Sequence, residues 1–269
     1  MLKQRIITAL VLLPLVLGAI FYLNSPWFAI AIAIPVALGA WEWANFMGIE
    51  DSSSRMPYVG GIVFGLLLVY WLDLNLVLLL SCLWWGAAAC LVKAYPNETE
   101  QWHDPFKLGV IGALVLIPAW WSLVVIQSQP EGHWWLLYVM LLVWGADTGA
   151  YFVGRQYGKT KLAPTVSPGK SREGLLGGLA LTALIALVVA FTTSAADKVG
   201  LIPFLLVSLV AVLGSVYGDL AESMFKRHRG IKDSSHLLPG HGGILDRIDS
   251  ITAAVPLFAS GMLLLGAMG

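Results

Sequence analysis

The sequence predicts an all-α polytopic membrane protein of about nine transmembrane helices, with the N-terminus cytosolic and the C-terminus outside. Three observations carry this. The 269 residues are 58% hydrophobic and only 12% charged, with mean hydropathy +0.79, whereas a soluble domain is about a quarter charged. Apolar runs long enough to cross ~30 Å of hydrocarbon at about 1.5 Å per residue recur near 6–23, 27–47, 57–72, 76–94, 109–126, 134–152, 174–193, 201–220 and 251–268. Of the sixteen Lys and Arg residues, all but Lys198 fall on the segments this count puts inside, as the positive-inside rule requires. One span more or fewer in the first half would move positive segments outside. A formal net charge of zero gives no reason to expect nucleic-acid binding.

Taken in order, the first span follows Met-Leu-Lys-Gln-Arg and ends without a small-residue cleavage site, so it reads as a retained helix rather than a signal peptide. The second closes on Glu42, which taken alone reads as an interface charge reaching the headgroups. The third is short and is divided from the fourth only by Asp73 and Asn75. Cys82 and Cys90 lie inside the fourth, without metal-ligand spacing, and read as apolar filler. The fifth is bounded by Lys107, and the sixth carries Asp147 near its end. The seventh follows a basic loop, the eighth ends at Asp219, and the ninth follows Asp246 and Asp249. Trp27, Trp41, Trp43, Trp71, Trp134 and Trp135 near span ends read as an aromatic belt. The chain is thus one transmembrane domain over 1–269, with two sizeable cytosolic loops at about 155–173 and 221–250. Such loops let a membrane enzyme meet a soluble cosubstrate.

The polar residues concentrate at one edge. Between Asp219 and Asp249 lie Lys226, Arg227, Arg229, Lys232 and Arg247 together with Asp219, Glu222, Asp233, Asp246 and Asp249. Ionisable groups at a membrane boundary cost free energy, so this concentration marks a candidate site. On a continuous helix Asp219, Glu222, Ser223 and Lys226 share one face, the bland alternative being a solvated helix end with a Glu222–Lys226 pair worth about 0.3 kcal/mol. Asp246 and Asp249 share a face if the ninth helix starts early. Mg²⁺ takes oxygen ligands, commonly one or two carboxylates plus phosphates and water, and Asp219 and Asp246 from separate elements fit that pattern. Pro239-Gly240-His241-Gly242-Gly243 reads either as a tight re-entry turn or as an anion-binding nest of backbone N–H groups. His241 could donate to a phosphate or move a proton, although most isolated histidines are structural.

The basic loop that follows Gly154 holds Gly158-Lys159-Thr160 and Gly169-Lys170-Ser171. Val153 and Pro164 stand where a P-loop needs its first glycine, and no strand precedes the motif, so an NTPase P-loop is rejected. The loop is either an orientation signal with anionic-lipid contacts or a cover for a triphosphate. No nucleophile elbow surrounds any serine, so a hydrolase is disfavoured.

The stretch Ser223-Met-Phe-Lys226-Arg227, Lys232-Asp233, Pro239-Gly240-His241-Gly242-Gly243, Asp246-Arg247 and Asp249 resembles the signature of the phosphatidate cytidylyltransferases, also called CDP-diacylglycerol synthases. The likeness continues in Asp147-Thr-Gly-Ala-Tyr-Phe with Gly154-Arg155, in Lys161-Leu-Ala-Pro164 with Ser167-Pro168, Lys170, Glu173 and Gly174, and in Gly218-Asp219-Leu with Glu222-Ser223. It covers roughly the C-terminal half. The resemblance implies transfer of the cytidylyl group of CTP to phosphatidate, with Mg²⁺ and with a second cation and a homodimer left open.

By that resemblance Asp219, Asp246 and Asp249 hold the metal, and Asp246, Asp219 and Lys226 form the catalytic set. Lys170, Ser223, Arg227, Lys232, His241, Gly242, Gly243 and Arg247 bind substrates. The setting it implies is a bacterial inner (plasma) membrane with the site facing the cytosol. Another CTP-using membrane transferase, such as a polyisoprenol kinase, is the enzymatic alternative. The motif of the CDP-alcohol phosphotransferases is absent. A cation-coupled transporter would place acids near the bilayer midplane on broken helices, whereas these cluster at one edge.

Overall fold

The computed structural model describes residues 2–268, and the side chains of all of these except 2–7 and 9. Nine α-helices appear among the described residues: α1 Leu2–Tyr22, α2 Ser25–Phe46, α3 Met56–Leu72, α4 Leu76–Ala94, α5 Pro105–Ser128, α6 Gly132–Tyr157, α7 Arg172–Thr192, α8 Leu201–Arg229 and α9 Leu245–Leu264. Eight spans are long and apolar enough to cross a membrane, namely α2, α3 together with the preceding turn from Ser53, and α4 to α9, and α1 contributes the apolar stretch Leu10–Tyr22. The protein is an all-α polytopic membrane protein.

Local chemistry sets the helix ends. Pro26, Pro57 and Pro105 stand in the first turns of α2, α3 and α5, where the missing N–H would be unpaired anyway. Asp104 caps α5, its carboxylate accepting from the N–H groups of Phe106 at 2.9 Å and Lys107 at 3.2 Å. The narrow break between α3 and α4 falls on Asp73, which adopts φ +48°, a left-handed conformation that Asp tolerates better than most residues.

Around the central α5, the most buried of the spans, the helices pack in a bundle. The core is filled by Phe28, Trp43, Leu116, Leu136, Phe204 and Phe258. The most extensive pairings are α6 with α7 and α8 with α9. A Cβ added at Gly149 on α6 would lie 2.5 Å from the Gly177 carbonyl of α7, so small residues let these backbones meet, as is usual in membranes.

Several boundaries differ from the sequence reading. The eighth helix does not stop near 220 but runs to Arg229, because Ala221, Glu222, Met224, Lys226 and Arg227 are strong helix formers. It ends where Gly230 takes φ +75°. The ninth helix starts at Leu245, which shortens the loop read at 221–250 to 230–244. Within the loop read at 155–173, a hairpin of β1 Lys161–Ala163 and β2 Ser167–Ser171 pairs Lys161 with Ser171 and Ala163 with Ser167. Two of the belt tryptophans belong elsewhere. Trp43 is buried and donates its indole N–H to the Leu108 carbonyl at 2.8 Å, and Trp135 packs on Tyr138, Phe204 and Phe258. Trp27, Trp71 and Trp134 are exposed on the bundle surface.

Candidate active site

The polar residues meet at one end of the bundle, where α2, α6 and α8 finish and α9 begins. Because α8 is continuous, Asp219, Glu222, Ser223 and Lys226 project from one face. Ser223 donates its hydroxyl to Asp219 at 3.3 Å. Lys226, nearly buried, places Nζ 2.5 Å from Asp246 Oδ1 on α9 and 3.4 Å from Glu222 Oε1. Asp249 lies one turn further along α9 and interacts electrostatically with Asp219, Glu222 and Lys226. Its Oδ1 accepts from the Ser250 N–H at 2.7 Å.

A second carboxylate shapes the loop between α8 and α9. Glu42 is fully buried. It accepts from the Ser235 hydroxyl at 2.5 Å, the Ser234 hydroxyl at 3.0 Å, and the backbone N–H groups of Ile244 at 2.8 Å and Leu245 at 2.7 Å. An acid from α2 thus satisfies orphan donors at the start of α9, where a negative charge is favoured. Asp246 continues the same network. Its Oδ2 accepts from the Ser234 N–H at 2.9 Å, the Ser234 hydroxyl at 3.0 Å and the Gly243 N–H at 2.8 Å.

Between them lies the Pro-Gly-His-Gly-Gly turn, closed by the Leu238 N–H donating to the Gly242 carbonyl at 2.8 Å and the His241 N–H donating to the Leu238 carbonyl at 2.9 Å. Gly242 takes φ +84°, and a Cβ on Gly243 would sit 2.5 Å from Glu42 Oε1, so larger residues fit neither position. The buried Nδ1 of His241 has no hydrogen-bond partner among the described residues.

The other wing of the site is the hairpin. Lys170 on β2 reaches Asp219 Oδ2 at 2.7 Å. The hairpin tip is fastened twice: Arg227 donates Nε–H to the Val166 carbonyl at 3.3 Å, and Thr165 donates its hydroxyl to the Tyr95 carbonyl at 3.3 Å. At its base, the backbone N–H groups of Lys159 and Thr160 donate to the Glu173 carboxylate at 3.1–3.2 Å. These amides of the Gly-Lys-Thr segment therefore hold an internal anion rather than a phosphate. Asp147, exposed on α6, interacts electrostatically with Lys170, Asp219 and Arg247. Asp147, Arg155 and Lys170 line a cavity of about 370 Å³.

A sequence model described as the cytidylyltransferase family matches residues 3–265. The chain belongs to the cytidylyltransferase family. It is an enzyme of the nucleotidyltransferase class, and it is 49% identical over 262 residues to the phosphatidate cytidylyltransferase of Pseudomonas aeruginosa, covering 97% of this chain and 96% of that protein. The corresponding enzyme of Haemophilus influenzae is 42% identical over 282 residues, 96% of this chain and 98% of that protein. That of Staphylococcus haemolyticus is 45% identical over 130 residues, about half of each chain.

Of the residues that the sequence singles out in this cytidylyltransferase, Asp219, Ser223, Lys226, Asp246 and Asp249 come together, and Lys170 joins them from the hairpin. The others are placed less directly. Arg227 fastens the hairpin tip and donates to the Ile231 carbonyl at 3.3 Å. Lys232 is exposed on the loop. Arg247 interacts electrostatically with Asp147. The Gly243 N–H is taken by Asp246, so Gly242 and Gly243 shape the turn while Glu42 and Asp246 use the donors that follow. The sequence reading underrated Glu42 and assigned no role to Glu222. A lone acid at a span end and an i, i+3 surface acid carry no distinguishing local signal.

The residues fit a hard cation. Four carboxylates, from Asp219, Glu222, Asp246 and Asp249, share this end of the bundle, and among the described residues only Lys170 and Lys226 are in ion-pair contact with them. Neither oxygen of the buried Glu222 accepts a hydrogen bond from the described residues, the Lys226 ammonium standing 3.4 Å from Oε1. Among the described residues no three His, Cys, Asp or Glu side chains form a ready-made cage. Mg²⁺ commonly binds through one or two carboxylates and completes its shell with phosphate oxygens and water. Asp246 Oδ2 is committed to three donors and Oδ1 to Lys226, so a cation bound at Oδ1 would share that oxygen with the Lys226 ammonium or displace it.

Proposed function

We propose that this chain transfers the cytidylyl group of CTP to phosphatidate, giving CDP-diacylglycerol and pyrophosphate. The observation that supports it best is the pairing of Lys170 with Asp219 and of Lys226 with Asp246 at one end of a membrane bundle, in a chain matched along 97% of its length by a phosphatidate cytidylyltransferase. A phosphate oxygen of phosphatidate attacks the α-phosphorus of CTP. The bond from that phosphorus to the β-phosphate bridging oxygen breaks, and pyrophosphate leaves with the electron pair. The nucleophile is already anionic, so no general base is required. The barrier is the approach of two anions, which positioning and charge neutralisation lower.

Lys170 and Lys226 supply positive charge, with Arg227, Lys232 and Arg247 beside them. The α8–α9 carboxylates and Ser223 hold the lysines in place, and the Gly242-Gly243 turn and His241 border the substrates. Mg²⁺, when bound, would add neutralisation of the triphosphate, and Asp219, Asp246 and Asp249 are the residues that would hold it. A single domain spanning 1–269 presents this face to the cytosol of a bacterial inner membrane, in keeping with the positive-inside asymmetry.

The test uses detergent-purified protein with labelled CTP, phosphatidate and Mg²⁺, with and without EDTA. Label entering the lipid phase, dependent on phosphatidate and metal and matched by pyrophosphate release, is the expected result. Label entering an isoprenoid alcohol instead would replace this reading with the kinase.

A further inference from the structure

A second cavity, of about 470 Å³, lies beside the first and shares Leu162, Leu175 and Val216 with it. Its walls come from the end of α4, the turn after β1, the start of α7 and one face of α8. The two cavities differ in charge. Asp147 lines the first together with Lys170 and Arg155, whereas the lining of the second holds Lys93 and Arg172 and no carboxylate. Neither Lys93 nor Arg172 has an ion-pair or side-chain hydrogen-bond partner among the described residues. They are unspent cations over a wall that is apolar apart from Thr165 and Tyr217.

That wall continues into the bilayer. Leu220, Val216 and Leu213 line the cavity from α8. At helical spacing below them, Leu209, Leu206 and Ile202 are 42%, 55% and 71% exposed. The six residues form one stripe along α8, about 27 Å long at 1.5 Å per residue. Exposure increases steadily away from the cavity. The hairpin tip roofs the polar end through the Thr165–Tyr95 hydrogen bond.

We propose that this cavity is the phosphatidate subsite: Lys93 and Arg172 take the lipid phosphate, and an acyl chain lies along the Leu220–Leu213–Leu206 stripe of α8. The inference rests on the transferase reading above and adds the site at which the lipid is held. A phosphate between Lys93 and Arg172 gains charge-assisted hydrogen bonds. The apolar stripe favours a lipid over a free nucleotide, whose base and triphosphate gain nothing from it. The mixed-charge cavity beside it then remains for CTP.

Two measurements test this on the full chain in mixed micelles. Lys93→Ala combined with Arg172→Ala should raise the apparent KM for phosphatidate, expressed as surface mole fraction, by at least about tenfold, with the KM for CTP unchanged and the thermal midpoint retained. A phosphatidate carrying a diazirine in its acyl chain should label α8 between 206 and 220, with competition by phosphatidate but not by uncharged diacylglycerol or CTP. A shift in the CTP KM alone, no shift in either KM, or label confined to other helices would overturn the subsite. Label at α8 in a protein that never transfers cytidylyl would keep the lipid site and overturn the transferase reading.

Discussion

Glu42 on α2 and Asp246 on α9 share the hydroxyl of Ser234, which lies 3.0 Å from an oxygen of each. One hydroxyl proton joins a buried acid of the second helix to the acid that receives Lys226. Through it the scaffold of the first half of the chain sets the geometry of the second.

Glu42→Ala removes the acceptor for two serine hydroxyls and two backbone N–H groups at once. The expected loss is about 3 kcal/mol or more, since each stranded buried donor costs about 1–3 kcal/mol. A lowered thermal midpoint in detergent checks it. Glu42→Gln should recover only part, because its amide turns an NH₂ group toward donors. A Glu42→Ala protein as stable as wild type would mean that these bonds contribute nothing.

Asp246→Asn cannot satisfy Lys226 and the three donors at Oδ2 together. Turnover should fall by about two orders of magnitude or more, while helical content by circular dichroism stays at the wild-type level. Ser234→Ala removes only the shared hydroxyl and should cost about 1 kcal/mol of stability, with most activity retained. Wild-type turnover in Asp246→Asn would remove this acid from the site.

Chelation by EDTA should abolish transfer, and added Mg²⁺ should restore it. Asp219→Asn should raise the Mg²⁺ concentration for half-maximal rate by about tenfold or more, as read from a metal titration at fixed substrates. An unchanged titration would exclude Asp219 as a ligand.

Glu173→Ala frees the N–H groups of Lys159 and Thr160 and loosens the base of the hairpin. Limited trypsin digestion at Lys159, Lys161 and Lys170 should accelerate about tenfold as the segment opens more often. The kcat/KM for CTP should fall with it because Lys170 loses its station beside Asp219. Unchanged digestion would show that the two outer fastenings suffice.

The spans were legible because hydrocarbon demands long apolar runs, and the narrow α3–α4 break was legible because Asp73 and Asn75 are the two polar positions flanking it. The shared face of Asp219, Glu222, Ser223 and Lys226 followed from helical spacing alone. Glu42 was not legible: its donors lie 192 to 203 residues away in the chain, and an acid at a span end looks the same whether it meets water or four hydrogen bonds. The hairpin escaped because strands of three and five residues are too short to show an alternating period. Trp43 was misjudged because position near a span end does not reveal which way a helix face turns. Lys170 was marked by its basic loop, but its partner Asp219 comes from another helix.

The internal anion at the hairpin base bears on the thermodynamics of binding. Ordering a free backbone costs about 1–2 kcal/mol per residue. With Glu173 seated on the Lys159 and Thr160 amides, and the tip held at Tyr95 and Arg227, that cost falls on folding of the chain and not on capture of the nucleotide. The triphosphate meets a receptor whose lysine is already stationed, and its full electrostatic attraction remains available to hold it. Calorimetry of CTP binding should accordingly show the small heat-capacity change of rigid docking, without the larger one that accompanies a folding loop.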